Sequence, residues 1–333
     1  MKSRRTIRYG IIGFGAFAER MIAPAVTASP NSSLVAVQKR SVDAAWEKAR
    51  ALNVPLAFST PQDLVAHPDV DAVFITSANA AHAPETIVAA NAGKHVLVEK
   101  PMAMNAVEAR EMVDVCRLAG VKLMVGHMVR LSPVVLRVKQ LILGGQIGPV
   151  RHIRAEFIYD ARCSQRSWLF NKTVAGGGPL FDIAVHCIDT VRFILDDEVA
   201  SIRAHLEPPP TAGTTESTAQ ISLRFSRGVL GSILASYAAP IRRSYLEVVG
   251  SEGILAVQDF TRSGITGSLH ITVGRNGEAV EQRVETIEVH NLYADEVTQF
   301  SACILNDTPS PIPGEEGVKN QLILDEALKT GGT

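Results

Sequence analysis

Over the first 126 residues, short apolar runs alternate with longer segments whose apolar positions recur every three or four residues. The strand-like runs are "IRYGIIG", "LVAVQKR", "DAVFITS", "HVLVE" and "KLMVG". Between them "VDAAWEKARAL", "APETIVAANAG" and "NAVEAREMVDVCRLAG" carry the helical period, and the last two stop at glycines suited to a helix C-terminus. Strand and helix in strict alternation predict parallel strands joined by right-handed crossovers, a doubly wound Rossmann sheet.

After "SPVVLRVKQLILGGQIGPV" the rhythm changes. A strand from Arg151, a glycine-rich turn and one helix over about 180–195 lead into strand after strand. "STAQISLRF", "GVLGSILASY", "SYLEVVG", "GILAVQ", "SLHITVG" and "RVETIEVH" are separated by turn residues, which predicts a large, mostly antiparallel open sheet. In its first hairpin, Ala219, Ile221, Leu223 and Phe225 should pack on helices, leaving Gln220, Ser222, Arg224 and Ser226 on an open face. Two helical segments, "YADEVTQFSACILND" and "GEEGVKNQLILDEAL", close the chain. The expected architecture is α/β: a dinucleotide-type Rossmann domain over 1–127 and an α+β domain over 128–333, with the last helices able to pack back on the first domain.

Composition narrows this little further. With 333 residues the chain is long enough for two cores, and a net charge of -1 gives no electrostatic reason to expect nucleic acid or a membrane surface. No apolar run approaches a membrane span. The basic start "MKSRRTIRYG" is not followed by a signal-peptide core, because Gly10, Gly13, Gly15 and Glu19 break the next segment. Cys116, Cys163, Cys187 and Cys303 form no C-x-x-C pair, so neither a disulfide framework nor a zinc site is expected, and a reducing, cytoplasmic compartment fits.

Three stretches carry candidate chemistry. Strand one runs into "GFGAFAER", giving Gly13-x-Gly15-x-x-Ala18 between an apolar run and a helix, the setting that a dinucleotide turn requires. Gly13, Phe14, Gly15, Ala16 and Phe17 are the expected cofactor contacts there. An NAD site normally has an acid at the end of strand two; this chain has "VQKRS", so Lys39 and Arg40 would meet a 2′-phosphate without repulsion. NADP(H) is therefore the expected cofactor, with NAD(H) possible, and the alternative is that both side chains only face solvent. In "AGGGPLFDIAVHCIDTVRFIL", Asp182, His186, Asp189 and Phe193 stand four, three and four residues apart on one helical stripe. A His one turn after an Asp is either an oriented acid/base or a satisfied core histidine. No third ligand with metal spacing accompanies them, so no metal is expected. Finally "HVLVEKPMAM" sets Glu99 and Lys100 in front of Pro101; alone, this reads as a solvated strand end.

Taken in order, "GFGAFA", "VEKPMA", "LMVGHMVR" and "GGGPLFDIAVH" resemble the glucose-fructose oxidoreductase / inositol dehydrogenase (Gfo/Idh/MocA) family. The resemblance extends to "DAVFITSANAAHAPETIVAANAGKHVLVEKP", "LILGGQIGPV" and the late Tyr293, Glu296, Phe300 pattern, almost the whole chain. It implies that Lys100 is the active-site lysine, beside what is often a cis-proline, and that Asp182 and His186 are the other catalytic positions. It also implies that Ser77, Asn79 and His82, with Glu99, Lys100 and Pro101, line the cofactor site, and that Met128, Arg130 and Trp168, together with the catalytic residues, line the substrate site. Two departures stand out. Met128 replaces a frequent Asn in the G-H-N-x-R-F stretch, and Trp168-Leu169-Phe170-Asn171 lacks the arginine and aspartate of W-R-x-D.

The activity so implied is NADP(H)-dependent hydride transfer to or from a secondary alcohol or carbonyl of a sugar, sugar derivative or cyclic polyol. The helix stretch "DIAVHCIDTVRFILDDE" resembles that of 1,5-anhydro-D-fructose reductases, with NADP-dependent xylose dehydrogenases next. Relatives assemble through the open sheet, which implies a homodimer or homotetramer. Two other classes stay open: a redox-neutral, glycosidase-like enzyme that retains its nucleotide, and a non-catalytic dinucleotide sensor. Retention of Lys100, Asp182 and His186 together argues against the sensor.

Overall fold

The computed structural model of the chain describes residues 6–164 and 166–331, without the side chain of Cys163, so the expectations for the basic start and for that cysteine lie outside the described residues. The chain forms two compact units, Met1–His127 with Tyr293–Gln321, and Met128–Leu292 with Leu322–Thr333.

The first unit is built on strands β1 (Ile7–Ile12), β2 (Ser32–Gln38), β3 (Leu56–Phe58), β4 (Ala72–Ile75), β5 (His95–Glu99) and β6 (Leu123–Gly126). Between them run α1 (Ala23–Ala28), entered through a π-helical turn at Ala18–Ile22, then α2 (Val42–Ala51), α3 (Pro61–Ala66), α4 (Asn79–Asn91) and α5 (Ala106–Leu118). All six strands are parallel, in the order β3-β2-β1-β4-β5-β6, so the strand order reverses between β1 and β4. Val73, Ile75, Val96, Val98 and Val125 are fully buried, as strands covered by helices on both faces require. Helix starts follow local chemistry: Ser41 accepts from Ala44 N–H, Thr60 from Asp63 N–H, and Asn105 from the N–H groups of Val107 and Glu108. β3 and α3 are absent from the sequence pattern because three and six residues are too few to show a period.

The second unit begins with a 3₁₀ turn at Met128–Leu131 and α6 (Pro133–Leu143), followed by β7 (Val150–Asp160), short α7 (Lys172–Ala175), a π-helical turn at Leu180–Ala184 and α8 (Val185–Leu195). Its sheet continues with β8 (Val199–Glu207), β9 (Thr218–Phe225), β10 (Leu230–Ser236), β11 (Ala238–Gly250), β12 (Gly253–Gln258), β13 (Ile265–Arg275) and β14 (Glu278–Val289). The order is β14-β13-β12-β11-β7-β10-β9-β8, antiparallel except for the parallel β7–β10 pair. On β9, Ala219, Ile221, Leu223 and Phe225 are buried while Gln220, Ser222 and Arg224 are exposed, as the period-two pattern predicts. β8 adds a strand to the sequence-based expectation, although its pattern is regular: Ile202, Ala204 and Leu206 are buried, and Ser201, Arg203, His205 and Glu207 are exposed.

The helix over 180–195 is buried almost all round rather than along one stripe. Its second half is tied by Arg130, whose Nε and Nη2 donate to the two Asp189 oxygens at 2.8 and 2.7 Å. The Arg130 guanidinium also lies 5.3 Å from the Phe193 ring centre, and the Lys139 ammonium 4.1 Å from it.

The chain ends in α9 (Leu292–Asn306) and α10 (Gly314–Gly331). Within the first unit α9 is pinned by hydroxyl contacts, Tyr9 to Ser301 at 2.9 Å and Ser29 to Thr298 at 2.6 Å, around a fully buried Phe300. Among the described residues, no helix is long and apolar enough to cross a membrane.

Candidate active site

In the first unit the functional groups gather at the carboxyl ends of β1, β2, β4 and β5. Gly13 leaves β1 at φ +75°, and a Cβ there would sit 2.5 Å from the Ser77 Cα at the end of β4. Only glycine permits both the left-handed backbone and this contact. The Gly13 N–H donates to Gln38 Oε1 at 3.0 Å, and Gln38 Nε2 donates to the Ser59 carbonyl at 2.9 Å. Gln38, the last residue of β2, thus braces the glycine turn. Lys39 Nζ donates to the Phe14 carbonyl at 2.8 Å, setting a positive charge against that turn, while Arg40 is exposed. Phe14 is buried, and Phe17 meets the Tyr293 ring edge-on at 5.7 Å.

A nicotinamide dinucleotide fits this turn. Gly15 is exposed, and a Cβ there would meet nothing nearer than the Gly13 carbonyl at 3.8 Å, which leaves backbone open to a phosphate beside exposed Ala16.

Past β4, Ser77 lies in the loop before α4, Asn79 begins that helix, and His82 joins two loops. Its Nδ1 lies 2.9 Å from the Pro101 carbonyl and its Nε2 3.1 Å from the Ser77 carbonyl. Burial, and to a smaller extent Lys100, lowers its pKa to about 4, so the ring is neutral. The peptide bond between Lys100 and Pro101 is cis. Glu99 Oε2 accepts from Lys100 N–H at 3.2 Å. Glu296, fully buried in α9, is pushed well above the usual carboxylate range by burial first and by Glu99 second.

In the second unit, each of the three glycines has its own reason: Gly176 stands at φ +80°, a Cβ on Gly177 would strike the Phe181 ring, and Gly178 packs against Glu216. Its Oε1 accepts from Gly178 N–H at 2.9 Å and Leu180 N–H at 3.0 Å, supplying acceptors to the start of the helix. A Cβ on Gly178 would run into the Glu216 carbonyl. One turn on, Asp182 is 5% exposed and accepts from the Tyr159 hydroxyl at 3.0 Å and from Arg166 Nη1 and Nη2 at 3.3 and 3.2 Å. The buried Tyr237 hydroxyl is close to the same carboxylate without a well-aligned hydrogen bond to it. His186 is 7% exposed, its ring 6.1 Å from that of Phe157.

Of the sequence-predicted residues, the fold gathers Gly13, Gly15, Lys39, Ser77, Asn79, His82, Glu99, Lys100 and Pro101 at strand ends of the first unit, and Asp182 and His186 on one helix of the second. Met128 is buried in the 3₁₀ turn that also carries Arg130, whose guanidinium is engaged by Asp189. Trp168 is half-buried, with the Arg166 guanidinium 6.0 Å from its ring centre. Sequence reasoning missed Gln38, Glu85, Tyr159, Arg166, Glu216 and Tyr237. Gln38 stood in the quoted "VQKRS" and could have been found as the polar residue at the strand end. Glu85 also stood in a quoted stretch, two turns into α4, whereas Tyr159, Arg166, Glu216 and Tyr237 lie outside the stretches that carry candidate chemistry. Among the described residues no group of His, Cys, Asp and Glu could hold a metal ion.

A glycine turn at the reversal point of a doubly wound sheet is the means by which proteins hold a dinucleotide, and the class reached this way is the nicotinamide-dependent oxidoreductases. Residues 7–127 match the oxidoreductase family with NAD-binding Rossmann fold, and residues 135–256 match the GFO/IDH/MocA C-terminal domain. The chain belongs to the GFO/IDH/MocA family. It is 30% identical over 315 residues to 1,5-anhydro-D-fructose reductase of Ensifer adhaerens, covering 93% of this chain and 92% of that one. To the NADP(+) D-xylose 1-dehydrogenase of Haloarcula marismortui it is 27% identical over 320 residues, covering 94% and 87%. Among solved structures, the aldose-aldose oxidoreductase of Caulobacter crescentus complexed with glycerol superposes with a TM-score of 0.87 at 25% identity, covering 98% of both chains.

One titration is built into the cofactor side. The Ser77 hydroxyl donates to Glu85 Oε2 at 2.5 Å, and burial raises the Glu85 carboxyl to about 7 from an ordinary 4.5. A carboxyl that keeps its proton longer in the folded state makes folding less favourable as pH rises through that interval. Glu85→Gln should therefore gain stability over the parent chain as pH goes from about 4.5 to about 7, by ~1–2 kcal/mol after allowing for partial solvent screening. Thermal melts across that range check this, and a gap between the two proteins that does not change with pH would exclude Glu85 as the titrating group.

Proposed function

We propose that this protein transfers a hydride between NADP(H) and a secondary alcohol or carbonyl of a sugar, a sugar derivative or a cyclic polyol. The observation that carries the reading is the buried turn with Asp182 and His186, in a chain whose first unit has a dinucleotide turn open at Gly15. The names of the relatives support a carbohydrate-like substrate. A 1,5-anhydrofructose reductase-like or xylose dehydrogenase-like activity is the most specific form of the proposal.

The bound nicotinamide nucleotide supplies or accepts the hydride; the chain manages the proton and the charge. His186 gives its proton to the oxygen of the reduced carbonyl and takes one from the hydroxyl in the opposite direction. Lys100, just past β5, stabilises negative charge on that oxygen. Asp182 positions His186 and accepts a hydrogen bond from a substrate hydroxyl. Lys39 at the glycine turn and exposed Arg40, with no Asp or Glu at the end of strand two, support NADP(H) over NAD(H).

The chemistry and the cofactor choice are tested separately. His186→Ala should lower turnover by about two to four orders of magnitude with NADPH affinity almost unchanged. Near-normal turnover on a verified substrate would make the histidine a core residue and pass the proton to another group. Lys100→Ala should also damage turnover, and Lys100→Arg should recover little, since a planar guanidinium cannot replace a compact ammonium. NADP(H) should bind at least about tenfold more tightly than NAD(H), about 1.4 kcal/mol. Lys39→Asp with Arg40→Ala should erase or reverse that ratio in fluorescence titrations, and equal affinities in the parent chain would reduce the basic pair to surface charge.

The exposed face of the second unit's sheet, with Gln220, Ser222 and Arg224, supports assembly into a homodimer or homotetramer. Light scattering at micromolar concentration should report one of these, and a monomer would remove the assembly from the proposal.

A further inference from the structure

Arg166 belongs to no motif in the sequence, yet it delivers a permanent positive charge to Asp182. Its two terminal nitrogens bind one carboxylate oxygen each, and Nη2 also lies 3.4 Å from the Tyr159 hydroxyl. The pair is asymmetric: the Asp182 side chain is 6% exposed and that of Arg166 39%. An exposed ion pair contributes little, but a carboxylate removed from water either takes up a proton or needs donors fixed on it. Here the donors are fixed. Tyr159 on β7 donates to the oxygen that Nη2 also reaches, and burial together with Asp182 pushes the Tyr159 hydroxyl up in pKa, so it stays protonated. Tyr237 and His186 are the other titratable groups near this turn, with Glu216 at its start.

We propose that Arg166 is the positioning residue that holds Asp182 as a fixed anion, so that Asp182 anchors and His186 alone carries the proton. This rests on the reading of the site given above and goes beyond it, because it assigns a division of labour within the helix to a side chain outside the helix. A carboxylate loaded by a guanidinium and a phenol is a poor proton acceptor but a good fixed acceptor of hydrogen bonds. Without Arg166, the same buried carboxyl would take up a proton at higher pH and stop acting as an anchor.

The test compares Arg166→Gln and Arg166→Lys in the full chain, each alone, with Arg166→Gln also placed in an Asp182→Asn background. With a substrate verified on the parent protein and saturating NADPH, Arg166→Gln should move the acid limb of the turnover profile up by about one pH unit or more, a tenfold loss on the acid side. Arg166→Lys should return the limb toward its parental position without restoring full turnover, because charge is regained and the forked geometry is not. In the Asp182→Asn background Arg166→Gln should cause no such shift. A uniform loss of turnover with an unmoved limb, or a shift that persists in that background, overturns the proposal.

A second readout needs no substrate. Removing Arg166 makes Asp182 easier to protonate in the folded state than in the unfolded chain, so the melting-temperature deficit of Arg166→Gln should widen as pH rises from about 4 to about 7. It should be independent of pH in the Asp182→Asn background. A deficit of constant size in the Asp182-containing chain overturns the proposal even if no sugar is turned over, whereas failure to find a substrate alone bears only on the function proposed above. If Arg166→Gln does not fold, the limb position and melting profile of Arg166→Lys decide: both should lie close to the parent's, and either one displaced counts against the charge-holding role.

Discussion

The Glu216 carboxylate sits against the first turn of the helix that carries Asp182 and His186, accepting from the amides of Gly178 and Leu180. A helix start leaves several N–H groups without partners, and in the interior nothing but protein can satisfy them. Because the Glu216 backbone passes so close to Gly178, no side chain larger than hydrogen fits there. Glu216 lies just before β9, so the point where the helix begins is tied to the position of that strand in the sheet. Asp182, one turn later, then meets Tyr159 from β7 and lies near Tyr237 just after β10. Two carboxyl groups, Glu216 and Asp182, thereby tie the start of one helix to three neighbouring strands.

The first unit solves the corresponding problem with a backbone contact. Gly13 and Ser77 touch where the strand order reverses, and Gln38 and Lys39 spend their side chains on the same turn. The polar side chains at the end of β2 thus brace the glycine turn. His82 carries this order onward to the loop that holds Lys100, through the carbonyls of Ser77 and Pro101. A neutral imidazole suits that place, because burial would make a charged ring costly.

Interior carboxyl groups in this protein take different charge states for reasons visible in their donors. Asp189 has the forked guanidinium of Arg130, and Asp182 has Arg166 and a phenol. Glu296 has burial and a neighbouring acid, and both push its carboxyl toward the protonated form. The chain has Leu169 where a family arginine is frequent, and a guanidinium nevertheless reaches Asp182 from Arg166, three residues earlier.

How much was legible follows from the range over which each signal acts. Periodicity exposed the long strands and helices, because alternation and the 3.6-residue repeat are local and need only enough residues to be counted. It could not show β3 or α3, which are too short; β8 carries a regular alternation from Ser201 to Glu207 and was legible in principle. The glycine turn, the Glu99-Lys100-Pro101 tip and the Asp182–His186 spacing were readable because each is a contiguous stretch with its own backbone chemistry. The stripe from Asp182 to Phe193, by contrast, was a single feature only in sequence. Tertiary packing gave its first half to Tyr159 and Arg166 and its second half to Arg130, partners as many as 59 residues away in the chain. The sequence by itself determined which chemical groups are present and on which local elements they ride. Only the tertiary structure decided which charges are paired and which carboxyl groups stay neutral, since burial and donors arrive from distant segments that no local pattern encodes.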